Sequence, residues 1–183
     1  MNHYNDKDLW NLIKRGDKKA FDFVYQKHIR SLYFFGYKIC ANKTLVEDCI
    51  QEVFLSLWKS RRNISIRQSI RAYLLHALRH SLIRRLKTDK KTIDFSGKEP
   101  ALGSFDIQLP VEAHWIAAEV KAQNTLRLKQ ALEQLSNREK EAIYLKYYEN
   151  ISYEEIATIM GISQRAVYKV VHSGIKKLRR LLN

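Results

Sequence analysis

Both prolines of this 183-residue chain, Pro100 and Pro110, fall in one stretch, together with Gly97 and Gly103. Proline lacks an N–H and clashes with the preceding turn, so a cluster of this kind interrupts any helix. The segments on either side carry few breakers and show helical periodicity almost throughout. Phe21, Val24, Tyr25, His28 and Leu32 recur at three- and four-residue steps, as do Val46, Cys49, Ile50, Val53 and Leu57. A third such face is Ile70, Leu74, Ala77, Leu78, Leu82 and Leu86. No segment alternates with period two for long enough to make a strand. The expected fold is all-α, with two small helical domains over 1–90 and 121–183 joined by a flexible linker over 91–120.

The pattern predicts helices over 6–15, 18–39, 43–60 and 67–87, then 111–135, a helix ending near Tyr148, a short helix after Ser152 and a last one to about Leu181. Ser136 with Glu139, and Ser152 with Glu155, have capping-box spacing. Gly174 lies inside the last helix, where glycine weakens it by about 1 kcal/mol against alanine.

Charge is sorted by region. Residues 1–90 hold 19 Lys/Arg and 8 Asp/Glu, residues 91–120 hold 2 and 5, and residues 121–183 hold 12 and 6. Two basic bodies therefore flank an acidic connector, and basic surface of this kind attracts nucleic acid. Cys40 and Cys49 have neither C-x-x-C nor metal-finger spacing and read as small apolar residues in a reducing compartment. No apolar run reaches membrane-spanning length, and the first residues do not resemble a signal peptide, so membrane insertion is not expected and the location is expected to be cytoplasmic.

Residues 152–180 have the layout of a helix-turn-helix. Ile156, Ala157 and Met160 face inward on the first helix, Gly161 makes the turn, and Ile162, Val167 and Val170 back the second. Gln164, Arg165, Tyr168, Lys169 and His172 form its outer face, and six Lys/Arg without an acid occupy 162–183. Arg165 suits guanine and Gln164 adenine. Lys169, Lys176, Lys177, Arg179 and Arg180 suit phosphate, as do the N–H groups at the Ser163 end. On the 43–60 helix, Asp48, Gln51, Glu52, Leu55 and Trp58 lie off the apolar face, and a tryptophan exposed beside a polar stripe reads as a partner-binding hot spot. Residues 53–88 hold nine Lys/Arg and no acid, interleaved with Trp58, Asn63, Tyr73, His76 and His80, a pattern that suits single-stranded DNA.

Taken together, these stretches resemble the sigma-70 family of RNA polymerase sigma factors, extracytoplasmic-function group. Residues 132–180, with their "SYEEIA" and "GIS", are similar to its C-terminal domain. Val46–Trp58 resembles its polymerase-docking helix, and Ile70–His80 its strand-opening helix. Tyr73 stands where many relatives have tryptophan, His80 where asparagine is usual, and Tyr168 and Val170 where a basic residue is frequent. The resemblance implies an initiation factor that binds the clamp and flap of bacterial core RNA polymerase. It implies −35 contacts from Ser163, Gln164, Arg165, Tyr168, Lys169, His172 and Lys176. The −10 contacts would come from Arg62, Asn63, Arg67, Tyr73, His76, Arg79, His80 and Arg84. Clamp contacts would come from Asp48, Gln51, Glu52, Leu55 and Trp58, and an anti-sigma factor is a further expected partner. The competing reading is a helix-turn-helix regulator that binds DNA without initiating.

No enzyme signature is present. There is no P-loop, dinucleotide fingerprint or nucleophile elbow, and Glu154-Glu155 complements a helix N-terminus. His76 and His80 are four apart but lack a third ligand, so no metal site and no cofactor are expected.

Overall fold

The computed structural model describes residues 5–66, 69–89, 105 and 118–182. Arg67 and most of the expected 91–120 linker lie outside the described residues. The chain divides into two compact units, Met1–Leu102 and Gly103–Asn183. Among the described residues the regular structure is helical throughout, as the periodicity requires.

The first unit contains α1 (Asp6–Lys14), α2 (Lys18–Ile39), α3 (Lys43–Ser60) and α4 (Ile70–Asp89). Short polar side chains start the first three. Asn5 Oδ1 accepts from the Asp8 N–H at 2.8 Å, Asp17 Oδ1 from Ala20 at 3.0 Å, and Asn42 Oδ1 from Leu45 at 3.1 Å. The start of α4 draws its acceptors from two places. Ser69 Oγ accepts from Ala72 at 3.1 Å, while Asp6 Oδ2, carried by α1, accepts from the Ile70 N–H at 2.8 Å.

Helices α2, α3 and α4 pack mutually around Val24, Leu32, Phe35, Val46, Cys49, Leu57, Leu74 and Leu78. Both cysteines are free thiols, Cys49 buried and Cys40 half-buried. The α4 helix is buried on more than the expected stripe. Ala72 and Leu75 join the core, whereas Ala77 and Leu86 are only half-buried. At Gly36 the helices cross so closely that a Cβ would meet Val46 Cγ1 at 2.8 Å and Leu78 and Leu82 methyls at 3.4 Å.

The second unit contains α5 (Ala118–Glu133), α6 (Asn137–Ile143), a π-helical turn (Tyr144–Tyr148), α7 (Tyr153–Met160) and α8 (Gln164–Leu182). The α8 helix packs on α5, α6 and α7. Both expected capping boxes form, at Ser136/Glu139 and Ser152/Glu155. The helix expected to run on to Tyr148 widens into the π turn instead, and the Tyr144 hydroxyl donates to the buried Glu149 at 2.7 Å. Phe105 belongs to this unit. Its side chain is fully buried, its ring lies 5.8 Å from Tyr144, and its N–H donates to Asn137 Oδ1 at 3.2 Å.

Glu139 does more than cap. Its carboxylate also accepts from Ser173 Oγ at 2.8 Å and from the Lys177 ammonium at 2.8 Å, which straps α6 to α8. Burial opposes its ionisation, but Lys177, the Ser136 N–H and the two hydroxyls outweigh burial and hold the carboxyl at about 2, below its ordinary 4.5. Gly174 has a second role besides weakening α8. It is buried on α6, where a Cβ would lie 2.7 Å from Ile143 Cδ1.

Candidate nucleic-acid interface and docking groove

In the second unit α7 ends at Gly161, whose φ of 67° and ψ of 32° turn the chain left-handed. Ser163 then caps α8, its Oγ accepting from Ala166 at 3.2 Å. The first face of α8 packs through Val167 and Val171, with Val170 half-buried. That leaves Gln164, Arg165, Tyr168, Lys169, His172 and Lys176 exposed, and Ser163 exposed at the helix start, as the sequence pattern requires. On α7, Ile156, Ile159 and Met160 are buried while Ala157 is half-buried at the crossing.

Nothing in the helical periodicity indicates how Tyr168 is held. Its ring stacks on Tyr153 of α7 at 4.2 Å, and the Lys146 ammonium sits 4.7 Å over the other ring. Burial, with the nearby Tyr147 and Tyr168 phenols, pushes the Tyr153 hydroxyl up, so it stays protonated. Tyr147, Tyr153, Tyr168, His172 and Lys176 border a groove of about 410 Å³ along α8. Aromatic walls with cations at the rim fit a polyanion at this surface.

In the first unit, the loop after α3 and one face of α4 gather the expected −10 residues. Arg62, Asn63, His80 and Arg84 are exposed, and Tyr73 and His76 are half-buried. Positions 73, 76, 80 and 84 share one side of α4 at three- and four-residue steps. Burial pushes the Tyr73 phenol up and keeps the ring neutral. Arg79 is the exception. It is only 7% exposed and lies on the buried side of α4, so it is not part of this surface.

The docking residues divide in two. Gln51, Leu55 and Trp58 line a groove of about 440 Å³ with Phe21 and Tyr25 of α2. Phe21 and Tyr25 were expected in the core but are half-buried groove walls, with Phe21 4.9 Å from Trp58. Trp58 is half-buried rather than exposed. The Arg61 guanidinium covers its ring at 4.3 Å, and Arg61 also donates to the Trp58 carbonyl at 2.6 Å. The exposed apolar residue is Leu55, at 58%. Asp48 is exposed, while Glu52 turns toward α4, where it pairs with Arg85 and accepts from Ser81 Oγ at 3.4 Å.

Residues 24–92 match the model of sigma-70 region 2, and residues 125–178 match that of sigma-70 region 4. The chain belongs to the sigma-70 family. Its function is that of a sigma factor, binding core RNA polymerase and directing promoter-specific transcription initiation. The paired matches favour this over a regulator that binds DNA without initiating, since such a regulator would need region 4 alone. Relatives span nearly the whole chain. The RNA polymerase sigma factor CarQ of Myxococcus xanthus is 28% identical over 172 residues, 93% of each chain. The ECF RNA polymerase sigma factor SigX of Bacillus subtilis is 26% identical over 89% of this chain and 84% of its own. Two solved structures share the fold. One is CnrH in complex with the cytosolic domain of CnrY, with TM-score 0.62, 19% identity and coverage of 97% and 96%. The other is the sigma factor RpoE in complex with the anti-sigma factor NepR from Bartonella quintana, with TM-score 0.63, 20% identity and coverage of 90% and 97%. No helix among the described residues is long and apolar enough to cross a membrane.

Proposed function

We propose that this sigma factor divides its work between the two units, as an extracytoplasmic-function member acting in the cytoplasm and without enzymatic chemistry. The groove between α2 and α3 docks on the polymerase clamp through Leu55, Gln51 and Trp58, with Asp48 at its margin. Glu52 serves this surface indirectly, by tying α3 to α4. The α8 face of Gln164, Arg165, Tyr168, Lys169 and His172 reads −35 duplex, and Ser163 and Lys176 meet phosphate. Arg62, Asn63, Tyr73, His76, His80 and Arg84 hold the opened −10 strand, and Arg67 is assigned there on sequence grounds. The acidic 91–120 segment joins the two halves, so each weak site raises the local concentration of the other. An anti-sigma protein is the expected regulator, since two relatives of the same fold carry such partners or a cytosolic domain in their complexes.

The observation that carries this reading is the exposed Leu55 at the mouth of an aromatic groove, in the same chain as a capped, cation-faced helix-turn-helix. Run-off transcription with bacterial core polymerase on a genomic promoter library tests it. Discrete start sites should depend on the protein and vanish with Leu55→Asp, whose side chain is already solvent-exposed. Arg165→Ala should cost about 1–3 kcal/mol and relax one promoter position. Start sites unaffected by Leu55→Asp would remove the groove as the docking surface.

A further inference from the structure

Helix α2 carries an unassigned surface on the side away from its core residues Val24, His28, Leu32, Phe35 and Ile39. Phe23, Lys27, Arg30, Phe34 and Tyr37 follow one another at steps of four, three, four and three, which places them in a single row about 21 Å long. The rings are open to solvent, with Phe23 47%, Phe34 43% and Tyr37 37% exposed. Cations lie between them. Lys27 Nζ is 6.0 Å from the Phe23 centroid and the Arg30 guanidinium 5.7 Å from that of Phe34. Toward the end of the helix Tyr33 joins the row, stacked on Tyr37 at 6.1 Å and edge-on to Phe34 at 6.0 Å. From Phe23 to Val46 there is no acidic residue. Asp6 reaches the row, its carboxylate 3.9 Å from Lys27.

Three occupants can be compared on chemistry. A second copy of the chain would set Lys27 and Arg30 against themselves. A protein partner would suit the rings and Arg30, both of which are enriched at interfaces, but would have to bury the Lys27 ammonium at the middle of the row, where lysine is depleted. Rings alternating with positive charge along an acid-free helix match what an unpaired nucleic-acid strand requires, with charge following the backbone and ring faces receiving bases. We propose that the outer face of α2 is a track for single-stranded nucleic acid, separate from the α4 face of Tyr73, His76, His80 and Arg84. Arg30 and Lys27 hold phosphates, and Tyr33, Phe34 and Tyr37 form the stacking platform, with Phe23 as a further ring upstream. An opened promoter supplies such a strand, and the track does not read its sequence.

The test is fluorescence anisotropy with a labelled oligothymidylate of about twelve nucleotides. It is run on the full chain, free and in holoenzyme. The variants are Phe34→Ser with Phe23→Ser, and Arg30→Gln, all at exposed positions, with the helical circular dichroism of each compared with that of the native chain. The ring variant should weaken binding at least about ten-fold, and Arg30→Gln should reduce the salt slope by about 0.7. Tyr73→Ala is the comparison that isolates the α4 face, so loss there alone would leave the promoter-opening reading standing and overturn this one. Oligonucleotide binding that is absent in both forms, or unchanged in folded variants, also overturns it. So does loss of polymerase affinity in the α2 variants at unchanged oligonucleotide affinity, which would make the face a protein interface.

Discussion

Replacing Glu139 with Gln removes one charge and almost no volume, and should loosen the helix-turn-helix unit out of proportion to its size. The carboxylate serves four donors, the Ser136 N–H and hydroxyl at 2.9 Å each, and Ser173 and Lys177 at 2.8 Å each. Its hold at about 2, against 4.5, corresponds to an upper value of roughly 3 kcal/mol favouring the charged, folded form. Lys177 is 43% exposed and its share is screened, so about 1–3 kcal/mol is expected. A glutamine also turns an N–H₂ toward a group of donors and leaves one unsatisfied. Hydrogen exchange is the assay, because it resolves α6 and α8 from the first unit. At neutral pH, protection in α6 and α8 should fall roughly 5- to 150-fold, while α1–α4 serve as the internal reference. A carboxyl whose folded value is depressed contributes fully above its unfolded value. Its contribution fades as pH falls from about 4.5 toward about 2, where the native residue takes up a proton. The gap between native chain and variant should therefore close over that window. Unchanged protection at neutral pH, or a gap that persists on acidification, would refute the assignment.

Gly36→Ala gains about 1 kcal/mol of helix propensity but forces a methyl against Val46, where overpacking costs about 1–3 kcal/mol, so the urea midpoint followed by Trp10 and Trp58 fluorescence should fall. Gly161→Ala places a side chain at φ 67° and should cost about 1 kcal/mol, read as a lower melting temperature with weaker −35 duplex binding. Asp6→Ala removes the acceptor at the start of α4 and should cost about 1 kcal/mol, with faster exchange at the Ile70 amide, whereas Asp6→Asn should restore most of it.

Much of this fold is legible because helix ends are written locally. Asp17 and Asn42 stand just before apolar periodicity, and α2 and α3 begin where those residues indicate. The same holds for the helix-turn-helix, whose Ser152, Gly161 and Ser163 act within their own turns. Less legible is anything that depends on a second helix. Glu139 reads as a cap and is one, but its partners on α8 are 34 and 38 residues away. Gly174 reads as a weak point until Ile143 is seen against it. Arg79 looks like one more cation on a basic helix, yet α4 is buried on several sides and takes it inward. Phe21 and Tyr25 follow the core period, but they stand at the edge of α3 and form a wall of the groove instead. Periodicity assigns a face to a residue; it does not say how far the neighbouring helix extends over that face.

Phe105 changes the reach of the molecule. Measured from the last residue of α4, Asp89, to the first of α5, Ala118, the intervening chain when fully drawn out spans at most about 100 Å. With Phe105 seated against Tyr144 and bonded to Asn137, the chain from Asp89 to its first anchor on the second unit is sixteen residues, and the ceiling falls to about 55 Å. A single phenyl ring thus acts as the stop on a tape measure. On the proposed division of promoter contacts between the units, it would cap how far apart the two elements can lie, and withdrawing it would nearly double that cap.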